Sequence, residues 1–178
     1  MDEDVWEFIW MKFHSTTAVS EKKILLEALT CSDNRNLLNR LLNLSLNSEV
    51  VLDQDAIDVI IHVARNPHGR DSAWKFFRDK WKILNARYGE ALFMNSKLIS
   101  GVTEFLNTEE ELNESGQSHS YPEGYPGGFR LKNFIQLHKV GSAVAPLSRA
   151  LETVDANVRW QRLYREELFQ WLRRTLKQ

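Results

Sequence analysis

The sequence has little of what cross-linking or catalysis requires. It contains a single cysteine, Cys31, among 178 residues, so an intrachain disulfide and a cysteine-based metal cluster are both excluded. Cys31 follows an apolar run, and no histidine stands near it in a cysteine-nucleophile context. We therefore interpret it as a small buried side chain and not as a catalytic thiol. The formal net charge is only −1, which disfavours nucleic acid as a partner.

Long apolar runs are also missing. No stretch approaches the roughly eighteen consecutive apolar residues of a membrane-spanning helix. The first ten residues, MDEDVWEFIW, are acidic at the position where a secretory signal is basic. The sequence as written thus predicts neither a signal nor a membrane span. We expect this of a piece of a larger protein whose targeting segment lies elsewhere.

No catalytic or metal-binding motif is present. A zinc peptidase needs two histidines one helical turn apart, with a glutamate after the first. The five histidines do not have that spacing; they are His14, His62, His68, His119 and His138. A serine nucleophile elbow and a phosphate-binding loop are likewise absent. The sequence predicts no catalytic, cofactor-binding or metal-binding residues, so we expect no enzymatic activity from this chain alone.

Three residue clusters have structural explanations. The pairs Trp6/Trp10 and Trp74/Trp81 are spaced by one and two helical turns, which predicts core packing before any ligand platform. Four arginines (Arg65, Arg70, Arg78 and Arg87) have acidic neighbours in the sequence, which predicts a salt-bridged surface. The acidic run at residues 109–114 is interpreted as a solvated helix start.

Two tripeptides have the N-glycosylation pattern. They are Asn43-Leu44-Ser45 and Asn113-Glu114-Ser115. Either one is an acceptor only if the chain enters the secretory pathway. Such tripeptides arise often by chance, so at this stage they predict nothing further.

Hydrophobic residues recur at helical period along nearly the whole chain. The pattern predicts helices at 3–14, 20–29, 33–46, 53–66, 69–88 and 92–106, another beginning at about 131, and a last one from Pro146 to the end. Residues 115–128 are rich in Gly, Ser and Pro and are predicted to be a flexible insert. Short helices joined by polar turns predict an all-α fold. We expect antiparallel helix pairs stacked as a solenoid similar to HEAT and armadillo repeats.

Four sequence blocks stand in a fixed order along the chain. They are EKKILLEALTCS at 21–32; Gln54-Asp55 with NPHGR at 66–70, Ala73-Trp74 and Trp81; Phe105 with Thr108-Glu109 and Leu112; and LETV at 151–154 with Asn157, Trp160 and Trp171-Leu172. Together they resemble the C-terminal helical domain of the M1 zinc aminopeptidases over residues 1–178. Within that family, residues 105–114 and 154–160 resemble a subgroup of ectoenzymes that degrade peptide hormones.

The resemblance implies a specific role. In that family the domain is a bowl of helix pairs that covers the catalytic domain, limits access to short peptides and, in several members, forms a homodimer contact. The catalytic domain or the full-length enzyme is therefore an expected partner, and zinc belongs to that domain. The subgroup implies a location on the extracellular side of the plasma membrane, with one N-terminal anchor.

The sequence departs from the family pattern in two respects. The zinc motif, the exopeptidase motif and the anchor belong to parts of the enzyme that lie outside this chain, and residues 115–129 interrupt a place where the family passes directly to the next helix. We expect a non-catalytic part of a larger enzyme. The alternative is a free-standing interaction protein that dimerises with the full-length enzyme and inhibits it.

Overall fold

The computed structural model describes residues 1–108, 131–138 and 140–176, and all regular structure in these ranges is helical. The all-α prediction is confirmed. The helices are α1 (Glu3–Ser15), α2 (Val19–Leu29), α3 (Arg35–Leu44), α4 (Asp53–Arg65), α5 (Arg70–Asp79), α6 (Trp81–Tyr88), α7 (Leu92–Thr103), α8 (Leu131–Leu137) and, after the 3₁₀ turn Gly141–Ala143, α9 (Val144–Thr175). They form two compact units, Met1–Thr103 and Glu104–Gln178. The solenoid-like stacking stays a prediction.

Helix α4 forms the centre of the first unit, where it packs against α2, α3, α5 and α7. Its apolar residues cover a wide arc of the helix, which is typical of a helix that packs against several neighbours, and Asp58, His62 and Arg65 form its polar side. Its buried apolar residues are Ala56, Ile57, Val59, Ile60, Ile61, Val63 and Ala64. The helix ends at Arg65 because Pro67 cannot continue the hydrogen-bond ladder. This end agrees with the predicted one.

Helix α3 shows the sharpest separation of apolar and polar residues. Its four leucines at positions 37, 38, 41 and 42 are all buried, because their spacing places them on one side of the helix. The cap is Asn34, whose side chain accepts from the backbone N–H of Asn36 at 2.9 Å, whereas the predicted helix begins one residue earlier, at Asp33. Either side chain can cap a helix, so the sequence alone did not distinguish the two neighbours.

The single helix predicted over 69–88 is two helices. The chain breaks at Lys80, whose backbone lies at φ −101° and ψ 8°, between α5 and α6. The break separates two aromatic helices that pack on each other, and the rings of Phe77 and Trp81 meet edge to face at 5.4 Å across it. Neither proline nor glycine stands there, so the sequence gives no sign of this bend. Gly89 follows α6 with φ −63°, an ordinary helical conformation and not a left-handed stop.

Helix α7 packs closely on α4 through Gly101. A Cβ atom placed on Gly101 would lie 2.5 Å from Cγ1 of Ile61 and 2.7 Å from its Cδ1. The missing side chain of Gly101 therefore makes room for Ile61, which is 4% exposed. A glycine in the middle of a helix normally weakens it, so its value here lies in the close approach of the two helices.

The second unit is built on α9, which packs against α8 and the 3₁₀ turn. Its first half is anchored by Leu147, Ala150, Val154 and Val158, all buried. After Val158 no described residue of α9 is buried. The acidic run at 109–114, interpreted as a helix start, and the predicted insert at 115–128 lie outside the described residues.

Candidate functional surfaces

The histidines that were tested as metal ligands have other contacts. His62, in α4, lies with Nδ1 3.5 Å from Oε1 of Glu27. The ring of His14 packs against Trp10 at 4.5 Å, and Nδ1 of His138 lies 2.9 Å from the carbonyl of Phe134. The backbone N–H of His68 donates to Asn66, and His119 is outside the described residues. In the described ranges no three His, Cys, Asp or Glu side chains are grouped as a metal site would require.

Cys31 is exposed, so the prediction that it is buried is wrong. It lies in the turn after α2, where Leu29 and Thr30 occupy the buried positions. Its sulfur lies 3.6 Å from the carbonyl of Glu27. Side chains of sequence neighbours at the end of a helix point in different directions. The apolar run ends at Leu29, two residues before Cys31, so it does not predict the burial of Cys31.

A shallow cleft of about 170 Å³ lies between α2 and α4. It is lined by Lys23, Leu26, Glu27, Asp55, Asp58, Val59 and His62. Its charges are paired with one another or with a neighbour, because Lys23 lies 3.6 Å from Asp55 and Lys97 bonds to Asp58. A site for a charged ligand usually leaves a charge available. We therefore interpret these pairs as links between helices.

The arginines of α4 to α6 do not form a uniform basic wall. Arg87 lies 3.3 Å from Asp53 and also donates to the carbonyl of Leu46 at 3.1 Å. The guanidinium of Arg78 lies 5.6 Å from the Trp74 ring, and burial lowers the pKa of Arg78. Arg87 forms the kind of ion pair that the salt-bridged interpretation predicts. Arg78 instead packs against an aromatic ring.

Asn66, from the NPHGR block, connects two turns. Its amide donates to the carbonyls of Thr30 and Ser32 at 2.8 and 2.6 Å. Its Oδ1 accepts from the backbone N–H of His68 at 2.9 Å. One side chain thereby satisfies the end of α2 and shapes the turn after α4. The block that carries the family resemblance is structural at this position.

Replacing Asn66 by Asp tests that role. Asn66→Asp keeps the acceptor for His68 but replaces both amide donors with a carboxylate facing two carbonyls. We expect the free energy of unfolding to fall by about 3 kcal/mol, because buried acceptors lose their donors and a negative charge is brought close to them. Urea denaturation measures this change. Asn36→Asp, on the exposed side of α3, is the matched control, and an equal effect of both variants would contradict the assignment.

Asn157 has the same role in the second unit. Its amide donates to the carbonyls of Glu104 and Leu106, both at 3.0 Å. It also belongs to one of the four sequence blocks, and it too holds two backbone carbonyls. The sequence identified these asparagines as part of a pattern but did not reveal their partners, because the carbonyls lie 34 to 53 residues away.

The tryptophans divide into two groups. Trp6, Trp74 and Trp81 are buried, as the core interpretation predicts. Trp10 is half-buried and stacks on Trp6 at 5.6 Å. In contrast, Trp160 and Trp171 of α9 are 47% and 58% exposed. Large exposed aromatic residues are the feature that needs an explanation.

These two tryptophans belong to a continuous apolar surface. We call it the α9 face and define it as Trp160, Tyr164, Leu168 and Trp171, all exposed and spaced by three or four residues. Residues at that spacing lie on one side of a helix. The rings of Trp160 and Tyr164 are 6.3 Å apart. The other side carries the exposed Phe169 together with the charged and polar residues Arg159, Arg162, Glu166, Gln170 and Arg173.

A second exposed apolar surface lies on α1. We call it the α1 face and define it as Val5, Phe8 and Met11, which are 47%, 55% and 62% exposed. The opposite side of α1 holds the buried Trp6 and Phe13. Among the described residues, each of the two units thus has an uncovered apolar face, and each of these faces has the composition of a contact surface.

The sequence comparisons identify the class of protein. Residues 1–118 match the ERAP1-like C-terminal domain, and the chain belongs to this family of aminopeptidase C-terminal domains. The predicted family is confirmed. Within the described residues, none of the helices has the length and apolar character needed to cross a membrane.

Individual relatives show which proteins of this family the chain is similar to. The chain is 76% identical to the thyrotropin-releasing hormone-degrading ectoenzyme of Homo sapiens over 177 residues, which is 99% of this chain and 15% of that protein. The Rattus norvegicus protein of the same name matches equally, at 76% over 177 residues. Aminopeptidase N of Canis lupus familiaris is 35% identical over 171 residues, 96% of this chain and 16% of the relative. The chain therefore spans about 15% of the length of the first of these relatives.

Proposed function

We propose that this chain is the non-catalytic C-terminal part of an M1 metallo-aminopeptidase of the peptide-hormone-degrading kind. Its role is to cover the active-site cavity and to support assembly of the enzyme. The zinc that the family implies is assigned in this proposal to the catalytic domain and not to this chain. The similarity to one segment of much longer relatives supports this assignment.

The α9 face is the observation that carries the proposal. Fully burying one large apolar side chain is worth roughly 1.5–3 kcal/mol. Trp and Tyr are also the residues most enriched where protein contacts contribute most of the binding free energy. The α9 face places three such aromatic rings on one side of a helix whose other side is mostly charged and polar. A helix of this kind is stable in an assembled enzyme only when its apolar side is covered.

A complementation experiment tests the proposal. The human ectoenzyme, ended before the segment that matches this chain, is co-expressed with the chain as a separate polypeptide. We expect the two to co-purify. Changing the α9 face with Trp160→Ser, Leu168→Ser and Trp171→Ser should weaken recovery at least about tenfold, since that factor corresponds to only about 1.4 kcal/mol. Peptidase activity of the pair should fall with recovery.

The matched control changes the other side of the same helix. Arg162→Ser, Glu166→Ser and Gln170→Ser alter the same number of exposed α9 residues without touching the α9 face. We expect these variants to be recovered like the unchanged chain. If both sets of variants co-purify equally well, the α9 face is not the docking surface, and if the unchanged chain is not recovered, the proposal itself fails.

A second candidate function is inhibition of a full-length relative by the free chain. It is supported by the exposure of both the α1 face and the α9 face. Added to a full-length relative, a free chain would compete for the surface that the relative's own C-terminal domain occupies or uses for dimerisation. In that case the relative's activity should fall as chain is added, and the α9-face variants should have no effect. Unchanged activity at saturating chain would exclude this inhibitory function.

A further inference from the structure

Helix α3 presents an uninterrupted polar surface in its exposed half. We call this surface the α3 polar side and define it by its exposed residues Asn36, Asn39, Arg40 and Asn43. The buried leucines of α3 lie on the opposite side. Asn43 is the first residue of the tripeptide Asn43-Leu44-Ser45 and stands in the last turn of α3, which ends at Leu44.

We propose that Asn43 is an N-glycosylation site. The inference rests on the proposed function, because only a chain that reaches the secretory pathway meets the modifying enzyme, and the relatives at 76% identity are named ectoenzymes. In the reaction, Nδ2 of Asn43 attacks C1 of an oligosaccharide carried on a lipid pyrophosphate. A C1–N bond forms, the C1–O bond to the pyrophosphate breaks, the lipid pyrophosphate leaves, and a base removes one Nδ2 proton.

The folded helix is compatible with a glycan on Asn43. Its Nδ2 donates to the carbonyl of Asn39 at 2.8 Å, which is one hydrogen bond from a group with two N–H donors. A glycosylated amide keeps one N–H, so the number of donors suffices for this bond. The side chain is exposed, and the sugar therefore extends into solvent and not into the leucine core.

The position of Ser45 sets the order of events. Its hydroxyl is fully buried and donates to the carbonyl of Leu42 at 2.7 Å. The modifying enzyme must recognise this hydroxyl together with Asn43, so transfer has to occur before α3 closes onto the core. Once α3 has folded, the acceptor is protected. Glycosylation at Asn43 thus has to precede the folding of α3 onto the core.

A glycan at Asn43 would also restrict which surfaces of the first unit can contact another protein. The sugar is bulky and strongly hydrated, so it keeps the α3 polar side facing water. Protein contacts of the first unit must then use another surface. The α1 face, which is apolar and carries no such tripeptide, is one such surface.

The experiment expresses the full chain behind a heterologous signal sequence in cultured human cells. The background variant Asn113→Gln removes the other tripeptide. We expect this variant to show one glycan that an amidase specific for N-glycans removes, with mass spectrometry locating the deamidated residue at position 43. Adding Asn43→Gln should abolish the shift, whereas adding Asn39→Gln should leave it intact.

Two outcomes overturn the inference. One is a secreted Asn113→Gln variant with no glycan, and the other is a glycan that persists after Asn43→Gln. Because the signal sequence delivers the chain to the secretory pathway in every case, these outcomes do not depend on docking to an aminopeptidase. The α9-face complementation test can succeed while this one fails, and the reverse also holds.

Discussion

Trp6→Ala should lower the free energy of unfolding by about 3–5 kcal/mol, the usual cost of deleting a buried tryptophan side chain. Trp6 is 0% exposed, and its Nε1–H donates to the carbonyl of Leu29 at 3.1 Å within the core. It also stacks on Trp10 and lies 5.0 Å from the guanidinium of Arg40. The substitution therefore leaves a cavity and an unpaired buried carbonyl. Urea unfolding with linear extrapolation measures the loss.

Two further variants separate the contributions. Trp6→Phe retains an aromatic ring but removes the N–H, so we expect an intermediate loss of about 1–3 kcal/mol, the cost of an unsatisfied buried acceptor. Trp160→Ala, on the exposed α9 face, should change stability by less than about 0.5 kcal/mol. Equal losses for Trp6→Ala and Trp160→Ala would show that Trp6 is not the anchor described.

Gly101→Ala should destabilise the chain by about 1–3 kcal/mol, the cost of overpacking a core. In an exposed helix the same change is favourable by about 1 kcal/mol, because alanine is the better helix former. Here the new methyl group would lie 2.5–2.8 Å from three side-chain carbons of Ile61, and α4 and α7 would have to separate. Thermal or urea unfolding gives the sign of the change in the free energy of unfolding. A loss of stability supports the close packing, and a gain contradicts it.

A double-mutant cycle locates the cause. Ile61→Ala alone should be destabilising through the cavity it creates, and Gly101→Ala in that background should be less harmful than in the unchanged chain or favourable. Ser100→Ala, exposed on the same helix, is the control and should have little effect. If the two substitutions at 101 and 61 are additive, their side chains do not compete for the same space.

The sequence predicted the helices well where apolar spacing is strong and a breaker is present. The end of α4 before Pro67 is one example, and the four leucines of α3 are another. The sequence-based prediction failed at Lys80, where the chain bends without a proline or a glycine. The rings of Phe77 and Trp81 meet across this bend, and such packing is not visible in the sequence pattern. It also failed at Cys31, where the end of a helix decides which of two neighbours is buried.

The candidate surfaces could be predicted only in part. The blocks containing Asn66 and Asn157 were recognisable, but their roles depend on carbonyls that are distant in sequence. The apolar residues of α9 predicted packing at helical spacing. They did not reveal that the α9 face is exposed, since a residue buried within a chain and one buried by a partner have the same pattern. Only the exposure of Trp160 and Trp171 separates the two cases.

The bare half of α9 has an energetic consequence. After Val158 the helix continues to Thr175, about 25 Å at 1.5 Å per residue, with no buried side chain among these residues. Most helix stability in proteins comes from tertiary packing, so in the proposed assembly part of the ordering entropy of this segment would be lost only on docking. Docking should therefore appear in calorimetry as a large negative heat-capacity change with unfavourable entropy. The affinity should be lower than the apolar area alone suggests.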